Sequence, residues 1–468
     1  MLDGLKPYPA YRESAVPWLG KVPEHWDVRR LKSLFREVDR RSSTGTERLL
    51  SLRQASGLVD HEQAGGRPIA PEHLVGFKVV QPGEIVMNRM RASAGLFAVV
   101  ATPGLVSPDY AVFRPTGPLS TGYFVRLFRT SRMGTTFRME SRGLGTGESG
   151  FLRLYSDSFG RLSAPYPSEA EQSSIARFLG HADRAVRRFV RDRQELSKLL
   201  DERKTAVINH VATEGLEAKD GLKALGSVPD VAVNARWRTS RLSAVSRLRS
   251  ETGRTDLPLL SVFLGRGVIP YAEGGGQVHK PSLDLSAYQV VHPGDLVLNN
   301  QQAWRGSVGV SEYLGITSPA YLVLDLDSDI LPPFARYLFQ ARAMVDQFVT
   351  SSKGVGDIQR DVCFPWLRNA QVPIPPLREQ VEIAALLDHE VCRLSSASRM
   401  IDREISLFRE FLAHLVSKVV LGELDVRDAA CGLADAAGHQ GVSGDDDVNE
   451  IDAGDDASEE ASSIEADA

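Results

Sequence analysis

A chain of 468 residues, 42% hydrophobic and 25% charged, is globular in composition and long enough for about three domains. Three scattered cysteines, Cys363, Cys392 and Cys431, argue against a disulfide framework and for a reducing compartment. No run approaches the roughly 18 apolar residues of a membrane span, and the amino terminus lacks a leader's apolar stretch, so a cytoplasmic protein without membrane contact is expected.

Near the amino terminus stands Trp18-Leu19-Gly20-Lys21-Val22-Pro23-Glu24-His25-Trp26. Further on, Phe77-Lys78-Val79-Val80 and Glu84-Ile85-Val86-Met87 are short apolar runs around Pro82-Gly83, which predicts two strands joined by a turn. Asn88, Arg89, Met90 and Arg91 follow at once. Tyr123-Phe124-Val125-Arg126-Leu127-Phe128 predicts an amphipathic helix. Gly145-Thr146-Gly147-Glu148-Ser149-Gly150 has the form G-x-G-x-x-G, but Arg138-Met139-Glu140-Ser141-Arg142 precedes it and the second copy, Gly354-Val355-Gly356-Asp357, lacks the third glycine, so it reads as a polar loop.

Pro165-Tyr166-Pro167-Ser168-Glu169-Ala170-Glu171-Gln172 then opens a long helical pattern, with Ser168 and Glu171 spaced as a capping box. Ile175, Ala182, Phe189 and Leu196 repeat every seven residues; Leu179, Val186, Leu200 and Val207 lie on a second apolar row.

All of this returns once. The helix-opening phrase recurs 208 residues later as Pro373-Ile374-Pro375-Pro376-Leu377-Arg378-Glu379-Gln380. Pro376 is placed for a first helical turn. Upstream, Pro82-Gly83 and Asn88 recur at an offset of 211 as Pro293-Gly294 and Asn299, and Phe334-Ala335-Arg336-Tyr337-Leu338-Phe339 matches the first amphipathic helix. The second heptad pattern runs Leu387, Leu394, Ile401, Phe408 and Leu415, interleaved with Val391, Ile405, Leu412 and Val419. A period this long is a duplicated domain rather than a solenoid repeat. The copies share a framework and differ between framework positions: Arg89-Met90-Arg91 in one, Asn300-Gln301-Gln302-Ala303-Trp304-Arg305 in the other.

The net charge of −5 conceals a division. Eleven acidic residues lie from Ser443 onward without a Lys or Arg, leaving +6 on the rest, so the tail is expected to be disordered and the body is compatible with a polyanion.

On these motifs the chain resembles the specificity subunit of type I restriction–modification systems over about residues 11 to 424, including Lys204-Thr205-Ala206-Val207-Ile208-Asn209-His210 near the end of the first helix. Ser168 stands where that family has a second proline, and the acidic tail is extra. The resemblance implies an α/β (α+β) protein of two similar target-recognition domains, in pseudo-twofold arrangement, separated by two long antiparallel coiled-coil helices. The expected division is a first recognition domain at 1–167, a spacer helix at 168–215, a linker at 216–236, a second recognition domain at 237–375, a second spacer helix at 376–424 and a disordered acidic tail at 425–468. It further implies double-stranded DNA, methyltransferase subunits and a restriction (motor) subunit as partners. No catalytic site, metal or cofactor is expected on this chain; S-adenosylmethionine, ATP and Mg belong to the partner subunits.

The residues support no chemistry of their own. There is no G-x-x-x-x-G-K-[ST]. Leu331-Pro332-Pro333-Phe334 resembles an amino-methyltransferase motif, but leucine cannot accept a hydrogen bond from a target amine. A self-contained restriction–modification enzyme and a coiled-coil adaptor without DNA affinity are the competing readings. For DNA, base edges are read by Arg at guanine and by Asn or Gln at adenine. Asn88, Arg89 and Arg91 in one copy, and Asn299, Asn300, Gln301 and Arg305 in the other, have that chemistry just after a strand, where each asparagine could equally be a turn residue. Arg142 and Lys353, each one residue before a glycine, suit phosphate contacts.

Overall fold

A computed structural model describes residues 5–144, 151–216, 221–226, 231–274, 281–355 and 359–433. The chain forms two compact units, one of Met1–Arg191 with Ile405–Ala468, the other of Asp192–Glu404.

In the first unit, Phe35–Val38, Ala111–Pro115, Ile85–Met87 and Phe97–Val99 form, in that order, a four-stranded antiparallel sheet with Val86 opposite Val112 and Met87 opposite Phe97. Alternate residues of a strand face opposite sides. Ile85 and Met87 accordingly join an aromatic core with the helices Thr121–Phe128 and Ser131–Glu140, while Val86 packs with Leu50 and Leu52 of a hairpin on the other side. Because both faces are covered, the strand is apolar throughout rather than alternating.

The second unit repeats the plan. Ser246–Leu248, Tyr321–Leu326, Leu296–Asn299 and Val308–Val310 form its sheet, with Leu296 and Leu298 in one core and Val297 in the other. The predicted turns are type II in both copies. Gly83 and Gly294 take φ of 86° and 95°, and the N–H groups of Glu84 and Asp295 donate to Gln81 and His292 carbonyls at 3.2 and 3.0 Å. Each acid is buried, accepts the N–H that opens its own turn, and pairs with an arginine from the neighbouring strand segment: Glu84 with Arg40, Asp295 with Arg249.

The long helices are Glu169–Glu214 and Leu377–Val420. Ser168 Oγ accepts the Glu171 N–H at 3.3 Å, so the cap is present. The reciprocal half of the predicted capping box is not what the carboxylate does. Glu171 instead accepts the Tyr8 hydroxyl at 2.7 Å and meets His25 Nε2 at 3.0 Å. Burial and that carboxylate push the Tyr8 hydroxyl well above its usual range and keep it a donor. In the second copy Glu379 accepts the indole N–H of buried Trp237 at 3.1 Å. The next residue, Gln172 or Gln380, is fully buried and accepts the N–H of Ser120 or Leu331 at 2.9 or 2.8 Å, fixing the helix start to the head of the amphipathic helix. Pro376 lies just ahead of its helix rather than in the first turn, its carbonyl accepting the Gln380 N–H at 3.0 Å.

Within each unit two helix segments pack antiparallel. In the first, the Phe189 and Phe408 rings lie 4.2 Å apart, and Ile175, Leu179 and Ala182 share a core with Leu415 and Val419. In the second, Arg193 pairs with Glu404 at 3.2 Å and the Ser197 and Ser398 hydroxyls meet at 2.9 Å. The apolar rows are covered unevenly: Leu387, Leu394, Ile401 and Ile405 are buried, whereas Leu196 and Phe408 are 38% and 39% exposed.

Two expectations are corrected. The segment 216–236 is not a plain linker: Leu222–Ala224 pairs with Ala232–Asn234, and Leu225 and Val233 bury against Ala343. The segment from Asp425 is folded through Leu433. Asp425 N–H donates to the Lys6 carbonyl at 2.8 Å, and Arg427–Cys431 is a helix whose Val426 and Ala430 flank complete the first unit's core. These apolar positions, ahead of the acidic run, are why it folds. The run itself lies outside the described residues.

Candidate nucleic-acid interface

Each predicted site begins at the end of a central strand, Ile85–Met87 in the first unit and Leu296–Asn299 in the second. Asn88 Oδ1 accepts the N–H groups of Met90 and Arg91 at 3.0 and 3.1 Å, and Asn299 Oδ1 accepts that of Gln301 at 3.1 Å. Both asparagines are thereby turn-makers. The chain then makes one short 3-10 turn, Ala92–Ala94 or Ala303–Arg305, closed by Gly95 or Gly306 at φ of 81° or 92°. A side chain on Gly95 would also meet the Arg129 backbone at 3.2 Å.

A hairpin is joined to each turn. Arg142–Leu144 pairs with Phe151–Arg153 in the first unit, and Ser352–Val355 with Gln359–Val362 in the second. The joining hydrogen bonds are equivalent: Leu154 N–H to Arg89 O at 2.9 Å, and Val362 N–H to Asn300 O at 3.0 Å. Asn88, Arg89, Arg91 and Arg142 are therefore gathered on adjoining segments of one unit, and Asn299, Asn300, Gln301, Arg305 and Lys353 on those of the other.

The gathered residues differ in role. Arg89 is 21% exposed in its side chain and donates to Glu37 Oε1 at 2.7 Å and to the Asp109 carbonyl at 3.1 Å, so it braces the loop. Arg89→Ala is expected to lower stability by about 1–2 kcal/mol, the scale of hydrogen bonds to a charged group with partial exposure. Exposed Arg142→Ala should instead change stability by no more than about 0.5 kcal/mol, as surface changes usually do. A chemical melt of the two variants checks this; equal destabilisation would count against the division of roles. Arg142 and Gln301 are exposed. Lys353 Nζ lies 5.1 Å from the Trp366 ring centroid.

Three side chains were not singled out from sequence. Trp304 has the guanidinium carbons of Arg305 and Arg360 at 4.6 and 5.3 Å from its ring centroid, and Trp366 is 48% exposed. The adjacency of Trp304 to Arg305 was a readable signal. Arg360 enters only through strand pairing, opposite Gly354.

Charge is unequally divided. Residues 1–191 hold 28 Lys and Arg against 18 Asp and Glu, and residues 192–404 hold 24 against 26. Among the described residues no group of three His, Cys, Asp or Glu is placed to hold a metal ion, and no helix is long and apolar enough to cross a membrane. The G-x-G-x-x-G segment lies outside the described residues.

No protein-family model and no curated protein matches the chain by sequence. Solved structures do match. A chain from a structure of the type I R-M system, concerned with complex assembly and conformational transition, superposes with a TM-score of 0.62 at 18% identity, covering 85% of this chain and 98% of that one. The HsdS subunit from Thermoanaerobacter tengcongensis aligns over 86% of this chain and 98% of its own, at 18% identity and a TM-score of 0.46. The type I restriction-modification S subunit from M. genitalium aligns over 84% and 96%, at 12% identity and 0.33. The first of these likenesses establishes a shared fold over most of both chains.

Proposed function

We propose that this chain is the DNA-specificity subunit of a type I restriction–modification complex, each unit reading one half of a two-part duplex sequence. The observation that carries the reading is the repeat itself: one sheet, one turn closed by a left-handed glycine and one joined hairpin occur twice, with different polar side chains on the same frame. A scaffold of that kind recognises two different things in one way. The fold shared with a chain of the type I R-M system supports it.

On this reading the chain is non-catalytic and acts in the cytoplasm. Methyltransferase subunits, which bring S-adenosylmethionine, dock on the long helices, where Met400, Leu407 and Phe411 are 66%, 54% and 40% exposed. A restriction subunit supplies ATP- and Mg-dependent chemistry. The purified chain incubated with duplex DNA and labelled S-adenosylmethionine is expected to transfer no methyl groups, and to do so once the methyltransferase subunit is added. Transfer by the chain alone would make it an enzyme. Failure to direct transfer with the partner present would leave an adaptor.

A further inference from the structure

The second unit holds two arginines gathered on one indole, an arrangement that the first lacks on the same frame. Trp304 stands on the turn Ala303–Arg305, its indole N–H donating to the Gln301 carbonyl at 2.9 Å, with the Arg305 and Arg360 guanidinium carbons 4.6 and 5.3 Å from its ring centroid. Counting from the equivalent joining hydrogen bonds, the first unit has Ser93, Ala94 and Leu152 where the second has Trp304, Arg305 and Arg360. The frame is repeated and the cluster is not.

Two considerations decide what such a cluster is suited to. Residues 192–404, with 24 basic against 26 acidic side chains, exert little bulk attraction on a polyanion, so what this unit binds depends on where single cations stand. A guanidinium stacked on an indole engages through its face, and its N–H donors lie in the plane, at the edge. Stacking also restricts the side chain beforehand, so less freedom is lost on binding. The planar fork fits the paired acceptors O6 and N7 of guanine, the arginine contact with most base information.

Resting on the specificity-subunit reading above, we propose that Arg305 and Arg360, held against Trp304, read guanine in the half-sequence recognised by the second unit. Trp304 is the positioning residue, and no equivalent contact operates in the first unit.

The test selects a randomised double-stranded DNA library with the full chain assembled with its methyltransferase subunit. The wild-type consensus should contain guanine in one half. The double variant R305K/R360K keeps both charges but loses the forks, and its preference for that guanine should fall about 5- to 150-fold, the span expected for a bidentate base contact. Trp304→Ala should relax the same position and Trp304→Phe should restore it, while Trp304→Leu, which fills space without a ring face, should not; rescue by leucine would mean a merely structural role. The other half-sequence serves as the folding control and should be unchanged throughout. The proposal is overturned if the second unit's half contains no guanine, if the double variant keeps its preference, or if it weakens all sequences alike, which is how phosphate contacts behave. A wild-type complex that selects no two-part sequence at all overturns the specificity-subunit reading itself.

Discussion

Replacing residues 27–160 with the corresponding segment of a relative is expected to change one half of the recognised sequence and to leave the other half and the gap as they were. The segment contains both recognition elements of the first unit, the turn Ala92–Ala94 and the hairpin of Arg142–Leu144 with Phe151–Arg153. The anchors of the frame lie outside it or belong to the backbone. Tyr8 and His25 remain to meet Glu171, and Gln172 accepts a main-chain N–H at position 120, which any residue except proline provides. Several side-chain contacts cross the boundary, among them the Tyr123 hydroxyl donating to the Val420 carbonyl at 3.0 Å and Arg132 pairing with Glu423 at 3.0 Å; the second copy has Phe334 at the position of Tyr123 and does without the first of these. A mismatched base pair costs about 1–3 kcal/mol, so three changed positions amount to about 3–9 kcal/mol, a loss above a hundredfold at the original sequence. Methylome sequencing of the chimera reads this directly. Changes in both halves would contradict independent units.

Lengthening both long helices by four residues is expected to widen the gap by one or two base pairs with each half-sequence retained. Four residues add about 6 Å of helix at 1.5 Å each, against about 3.4 Å per base pair. Such an insertion is a stutter that heptad packing tolerates. From the repeat alone the counterpart of Arg193 is Ile401, but the residue that Arg193 meets is Glu404, so the insertions belong after Arg193 and after Arg403. Neither disturbs a recognition loop. If the lengthened protein methylates only the original gap, the helices do not set it.

What the amino-acid sequence made legible was local. The strand at Ile85–Met87 announced itself because a sheet covered on both faces needs an unbroken apolar run, and the Pro-Gly turn that joins it to the strand Lys78–Val80 has only a few outcomes. The helix-opening phrase was legible, but its purpose was not. Glu171 meets Tyr8 across 163 residues and Glu379 meets Trp237 across 142, and no spacing rule links such partners. The same limit governed the interface. The position of Asn88 and Asn299 after a strand was evident, and a turn role for them was one of the readings open. That Arg89 is committed to Glu37, 52 residues away, and that Arg360 comes to Trp304 depended on strand pairing. The hairpin at 222–234 escaped notice because two three-residue strands with few apolar positions carry little pattern.

On the proposed function, this chain alone sets a two-part DNA specificity. Long-read methylome sequencing of a host without other modification systems, expressing the chain with its methyltransferase subunit, tests it most directly. Methylation is expected at one sequence of two short halves and a fixed gap, lost when the chain is omitted. Methylation at a single continuous sequence, or at the same sites with the chain absent, would contradict it.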